Sequence, residues 1–185
     1  MRDGVKRDFD WQLRFLPTIR RLVGPWLLEP APLDLDMAEA TDLVMLGARD
    51  LRIGCRVRRR KDDAGRIYAE RFPWDFTLRS KRDTGATTEL EKITNGWGDL
   101  LFYGHEASEQ SNDIERWFLI NLASWRSHLM RRTVLWGTDI PNGDGTYFRK
   151  WDVRDFTGPP PICLAASHPI PAPSVSIGQA SSMAA

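Results

Sequence analysis

Apolar residues recur at helical spacing near the start of the chain. Trp11, Phe15, Ile19, Leu22, Val23 and Trp26 fall on one stripe of residues 10–28, with Arg14, Arg20 and Arg21 mostly off it. This predicts an amphipathic helix, or two interrupted at Pro17 and Pro25, ending before a turn at 29–32. From Ala40 the texture becomes β-prone, with short apolar runs. Residues 41–46 and 51–59 flank Gly47-Ala48-Arg49-Asp50, a spacing that suits a hairpin. In the second run Ile53, Cys55 and Val57 alternate with Arg52, Gly54, Arg56 and Arg58, so the pattern predicts one buried and one cationic face. Residues 76–81 alternate again, after a polar turn at 61–65.

Residues 87–95 predict a short helix, with Thr87 or Thr88 as its cap, Glu89 and Glu91 in its first turn and Asn95-Gly96 as its stop. The runs at 99–103 and 116–122 are apolar and short, as buried strands are, and the second leads into a helix over 123–132. Residues 145–156 supply one more strand. The order is helix, two hairpin strands, strand, helix, strand, strand, helix, strand, which predicts an α/β or α+β domain over residues 1–157, a single mixed sheet flanked by helices. Residues 158–185 hold 6 of the 12 prolines and no Asp, Glu, Lys or Arg, so they are expected to form no regular element and to be a disordered tail.

Charge changes this picture more than composition does. The 26 Lys+Arg and 25 Asp+Glu nearly cancel, yet residues 49–82 carry 12 basic against 5 acidic residues, a local excess of +7. The blocks on either side are mildly acidic, with 6 basic and 8 acidic residues over 1–48 and 8 and 12 over 83–157. No apolar run reaches the length of about 18 residues that a membrane span needs, and the N-terminal residues do not read as a signal peptide. The expectation is a cytoplasmic protein with no membrane partner. Dinucleotide, P-loop and α/β-hydrolase signatures are absent. His105, His128 and His168 are isolated in sequence and are expected to be structural or surface residues, and most of the 8 tryptophans are expected in the core.

The unit over 39–60, in which Thr41-Asp42 opens an apolar strand and a tight turn leads to a second strand, resembles the core of the restriction-endonuclease-like nucleases, the PD-(D/E)xK superfamily. The order of elements over 10–122 is similar too. The resemblance implies that two carboxylates hold Mg²⁺ beside a scissile phosphate while a lysine polarises the attacking water. Asp42 matches the first acid, but the acid-x-Lys position reads Arg56-Val57-Arg58, and guanidinium groups cannot ligate a cation. A second alignment takes Asp75 as the acid and Lys81 as the base, with Arg79 in the other acidic position and even offsets placing all three on one strand face. Asp42 with Glu39 or Asp75 would hold the metal; Glu89 or Glu91 would reach it from the following helix. The tract over 88–105, with the flanking runs at 76–82 and 116–122, also looks similar to uncharacterised proteins of bacteriophages and prophages.

The basic band is the other source of function. Arg52, Arg56 and Arg58 on one strand and Arg79, Lys81 and Arg82 on and beside another would converge into a phosphate-binding strip for DNA or RNA if the strands are neighbours. Phe72 and Trp74 would add stacking surfaces for unpaired bases. The alternative is a non-catalytic protein-interaction module, such as a phage-encoded inhibitor or assembly factor, that uses the same basic face.

Overall fold

The computed structural model describes residues 10–24, 28–30, 43–45, 51–62 and 64–172. Glu39, Asp42, the hairpin turn at 46–50 and residues 173–185 lie outside them. In chain order the elements are α1 (Leu16–Val23), β1 (Leu28–Pro30), β2 (Leu43–Met45), β3 (Leu51–Arg58), α2 (Tyr68–Arg71), β4 (Asp75–Arg82), α3 (Glu89–Thr94), β5 (Leu100–Glu106), β6 (Ile114–Asn121), α4 (Leu122–Met130), β7 (Ile140–Pro141), β8 (Thr146–Asp152) and β9 (Cys163–Ala166). The chain is mixed α/β.

Local sequence accounts for most of these elements. Helical residues 10–13 are separated from α1 by a turn at 14–15, so the stripe is interrupted beside Pro17, as one of the two expectations has it; Pro17 itself sits in the first turn of α1, where a missing N–H leaves no helix bond unmade. Thr88 caps α3 as predicted: its hydroxyl accepts from the Glu91 N–H while the Glu91 carboxylate accepts from the Thr88 N–H. Asn121 caps α4 by accepting from the Ser124 N–H at 3.0 Å. In the predicted turn at 61–65, the Asp62 carboxylate accepts from the N–H groups of Ala64 and Arg66 and from the side chains of Arg66 and Arg71. The Arg66 N–H bond, chiefly, holds the Asp62 carboxyl below the usual carboxylate range.

The predicted single sheet is two sheets. One has the order β1-β2-β3-β5-β6-β9, and β4, β8 and β7 form a separate three-stranded sheet. The hairpin of β2 and β3 is antiparallel, as predicted, but β3 pairs with β5 in parallel, so the chain between them must cross over the sheet. That crossover contains α2, β4 and α3, and β4 bonds to β8 instead of joining the ladder. Alternation identifies a strand but does not say which strand it pairs with, which is why the partition is not visible in the pattern.

Two layers of apolar side chains cover the two faces of the larger sheet. On one, Ile53, Val57, Leu100 and Phe102 pack with Phe15 and Ile19. On the other, Leu101, Tyr103, Phe118 and Ile120 meet Phe76, Leu78 and Trp151 of the smaller sheet together with Leu90, Ile93, Trp125 and Leu129 of the helices. β5 is therefore buried along its whole length, which explains its unbroken apolar run. Trp125 and Trp151 lie in this core, with their rings edge-to-face at 5.2 Å, whereas Trp97 and Trp136 are exposed.

The expectation of a disordered tail from residue 158 is corrected over the described part of that segment. β9 adds to the edge of the larger sheet, with Phe118 opposite Ala166 and Ile120 opposite Cys163. Ile162 enters the central core at 2 % exposure. The Asn121 N–H donates to the Ile162 carbonyl at 2.7 Å, and the buried His128 ring bridges Thr133 and the Pro160 carbonyl. Because that carbonyl only accepts, His128 Nε2 carries a proton. The prolines at 159–161 precede the strand, so they do not interrupt its ladder. Replacing Ile162 with Ala is expected to cost about 2–4 kcal/mol in urea unfolding, and replacing the exposed Leu164 less than about 0.5 kcal/mol; a disordered segment would make both silent.

Candidate nucleic-acid interface

β3 and β4 do come together, but across the seam between two sheets rather than as neighbours in one. The cationic face of β3 turns into that seam. The Arg56 guanidinium is paired with the Glu89 carboxylate, which also accepts from the Arg79 N–H at 3.0 Å. Arg58 donates from Nε to the Tyr103 hydroxyl at 2.9 Å and from Nη2 to the Thr77 hydroxyl at 2.7 Å. The neighbouring Tyr103 oxygen, outweighing burial, holds Arg58 above the usual arginine pKa. Arg52 meets Asp99, which accepts from its backbone N–H at 3.0 Å. Burial, and then the adjacent Arg56 and Arg82, lowers the pKa of Arg79. Lys81 is exposed, with Nζ 4.9 Å from the Tyr147 ring centre, and Arg82 Nε is shielded without a hydrogen-bond partner.

Asp75 and Lys81 are not brought together. They stand near opposite ends of β4, roughly 20 Å apart by the rise of a strand. Asp75 lies opposite Asp152 and Lys81 opposite Tyr147. A register shift between Arg79 and Lys81 also breaks the even offset that would have kept Asp75, Arg79 and Lys81 on one face. Asp75 is buried and ion-paired with Lys150 at 2.9 Å. Asp152 is engaged by Arg154 and caps the turn after β8, and among the described residues no three His, Cys, Asp or Glu side chains gather as a metal would need. Of the residues that the nuclease resemblance implies for magnesium, Glu39 and Asp42 lie outside the described residues, and Asp75 is held by Lys150, far from Lys81.

A different constellation emerges from the register. Arg58 lies opposite His105 in the β3–β5 ladder, and His105 opposite Arg116 in the β5–β6 ladder. Opposed residues share a sheet face, so three basic side chains form one row. His105 is 2 % exposed, and its Nδ1 has no hydrogen-bond partner; neither does the shielded Nη1 of Arg116. Burial first, then Arg58 and Arg116, pushes the pKa of His105 down to about 4.

Around this row, cations and aromatic rings alternate. Arg116 lies over the Trp74 ring at 4.6 Å, and Arg58 over Tyr68 and Phe148 at 5.7 and 5.6 Å. Phe72 is flanked by Arg71 at 4.8 Å and Lys150 at 5.2 Å. Phe72 and Trp74 are half-buried, while Arg71 and Lys150 are exposed. Phe72 and Trp74 are the residues predicted to stack, and the structure sets them among cations supplied by β3, α2, β6 and β8.

Arg71, His105, Arg116, Phe148 and Lys150 are members that sequence reasoning missed. A signal exists in retrospect: His105 shares parity with the core residues Leu101 and Tyr103, and Arg116 with Phe118 and Ile120. A basic residue at the inward parity of an apolar strand marks a site. Comparison of the chain with family models, curated proteins and solved structures gives no match.

Because the folded pKa of His105 lies below its unfolded value near 6.5, the unfolded chain takes up the proton first. Its contribution to stability is complete above about pH 6.5 and is lost as pH falls toward 4, about 3 kcal/mol in all. Urea unfolding of the parent and of His105→Asn across that range is expected to show a drop in the parent that the variant lacks; parallel curves would exclude the assignment.

Proposed function

We propose that the protein binds single-stranded nucleic acid, without cleaving it, through the cation–aromatic surface where the smaller sheet meets the ends of β3 and β6. The observation that carries this reading is the interleaving of Phe72, Trp74 and Phe148 with Arg58, Arg71, Arg116 and Lys150. Rings give unpaired bases a stacking platform, and the cations follow the backbone. The restriction-endonuclease-like reading rests on the sequence resemblance alone. Against cleavage stand the ion-paired Asp75, the distant Lys81 and the engagement of Arg56 and Arg58 by Glu89 and Tyr103. A phage or mobile-element origin agrees with a compact nucleic-acid binder and adds no residue to the site.

A protein-interaction module is the second reading. The exposed Met130, Leu135 and Trp136, beside Arg131 and Arg132, favour it.

Fluorescence anisotropy with labelled oligonucleotides tests the first reading. Single-stranded probes are expected to bind more tightly than duplexes, with affinity falling as salt rises. Trp74→Ala is expected to weaken binding about tenfold, while Trp136→Ala leaves it unchanged. Magnesium and chelator should make no difference. Magnesium-dependent cleavage abolished by Asp75→Ala would restore the nuclease, and absence of binding to any probe would favour the protein-interaction module.

A further inference from the structure

Arg58, His105 and Arg116 form a row of basic side chains on adjacent strands of the larger sheet. Neither guanidinium has an ion-pair partner among the described residues. The nearby acids are committed elsewhere: Glu89 to Arg56, Glu106 to Arg14 and the Arg60 N–H, and Glu115 to Arg60. What contacts the two guanidiniums is neutral, namely the hydroxyls of Tyr103 and Thr77 and the rings of Tyr68, Phe148 and Trp74. A ring quadrupole offsets a cation only weakly compared with an anion.

The row also has unused hydrogen-bonding capacity. Nδ1 of His105 and Nη1 of Arg116 are both shielded from solvent and both without a partner. Buried polar groups are satisfied in folded proteins, and these two atoms leave hydrogen-bonding capacity beside two positive charges that an anion's oxygens can use. A neutral imidazole between two guanidiniums leaves a net charge of +2 in the row, which matches a phosphate monoester near neutral pH, about −2, better than a diester. The two cations stand on the outer strands of the trio and the histidine on the middle one, all three on one face of the sheet.

We propose that Arg58, His105 and Arg116 form a binding site for a phosphate monoester group. Two sources supply that chemistry: the terminal phosphate of a nucleic-acid strand, in which case the site rests on the function proposed above and reads strand ends, or a free phosphate or small phosphomonoester.

The test uses the full chain, inorganic phosphate and a pair of oligonucleotides identical except for a 5′-phosphate or 5′-hydroxyl end. Inorganic phosphate is expected to shift the His105 ring resonances saturably and raise Tm, with His128 and His168 unmoved. Arg116→Gln should weaken that response by at least about tenfold, and Arg131→Gln, outside the row, should not change it. Unmoved His105 resonances in the native protein would overturn the site, whether or not the variants fold and whatever the oligonucleotides do. With the phosphate response present, tighter binding of the 5′-phosphate strand than of its twin supports the nucleic-acid source. Equal binding of the two strands, or binding of neither, supports the free-phosphate source, and binding of neither also removes the nucleic-acid surface while leaving this site in place.

Discussion

A guanidinium carried into a protein interior has to find partners there, and this requirement organises the seam between the two sheets. β3 can bury Ile53 and Val57 against α1 only by turning Arg56 and Arg58 the other way, toward the smaller sheet. Glu89 answers the first and Tyr103 with Thr77 the second. Those partners come from α3, β5 and β4, so the polar contacts fix how the crossover lies on the sheet as firmly as the apolar core beside them does.

The same constraint explains how the basic band differs from a solvated strip. Counting charges along residues 49–82 finds an excess of cations, but pairing decides which of them remain available. Glu89 and Asp99 absorb Arg56 and Arg52, whereas Arg58 and Arg116 are left with hydroxyls and rings. Which cations are left without a carboxylate is thus set by strand register, and one of them, Arg116, comes from outside the basic band.

Much of the fold is legible in the sequence. The alternation in β3, the capping box of α3, the apolar runs of β5 and β6 and the helix that follows them all appear where periodicity and cap chemistry place them. What is not legible depends on contacts far apart in the chain. Nothing local says that β4 pairs with β8, that Ile162 belongs to the core, or that His105 stands between Arg58 and Arg116. The composition of the segment after residue 157 suggests disorder, because prolines and small residues hide four residues, Cys163–Ala166, that need only one exposed strand edge to become β9. Of the candidate site, Arg58, Phe72 and Trp74 were readable as members, but the reason they belong together was not.

Arg56 and Arg58 of β3 point into the seam and are held there. Arginine-directed dicarbonyl labelling of the native protein, read residue by residue by mass spectrometry, measures this directly. Arg56 and Arg58 are expected to react far more slowly than the exposed Arg131 and Arg132, and to lose that protection on unfolding. Reaction of Arg56 and Arg58 as fast as Arg131 and Arg132 in the native state would contradict it.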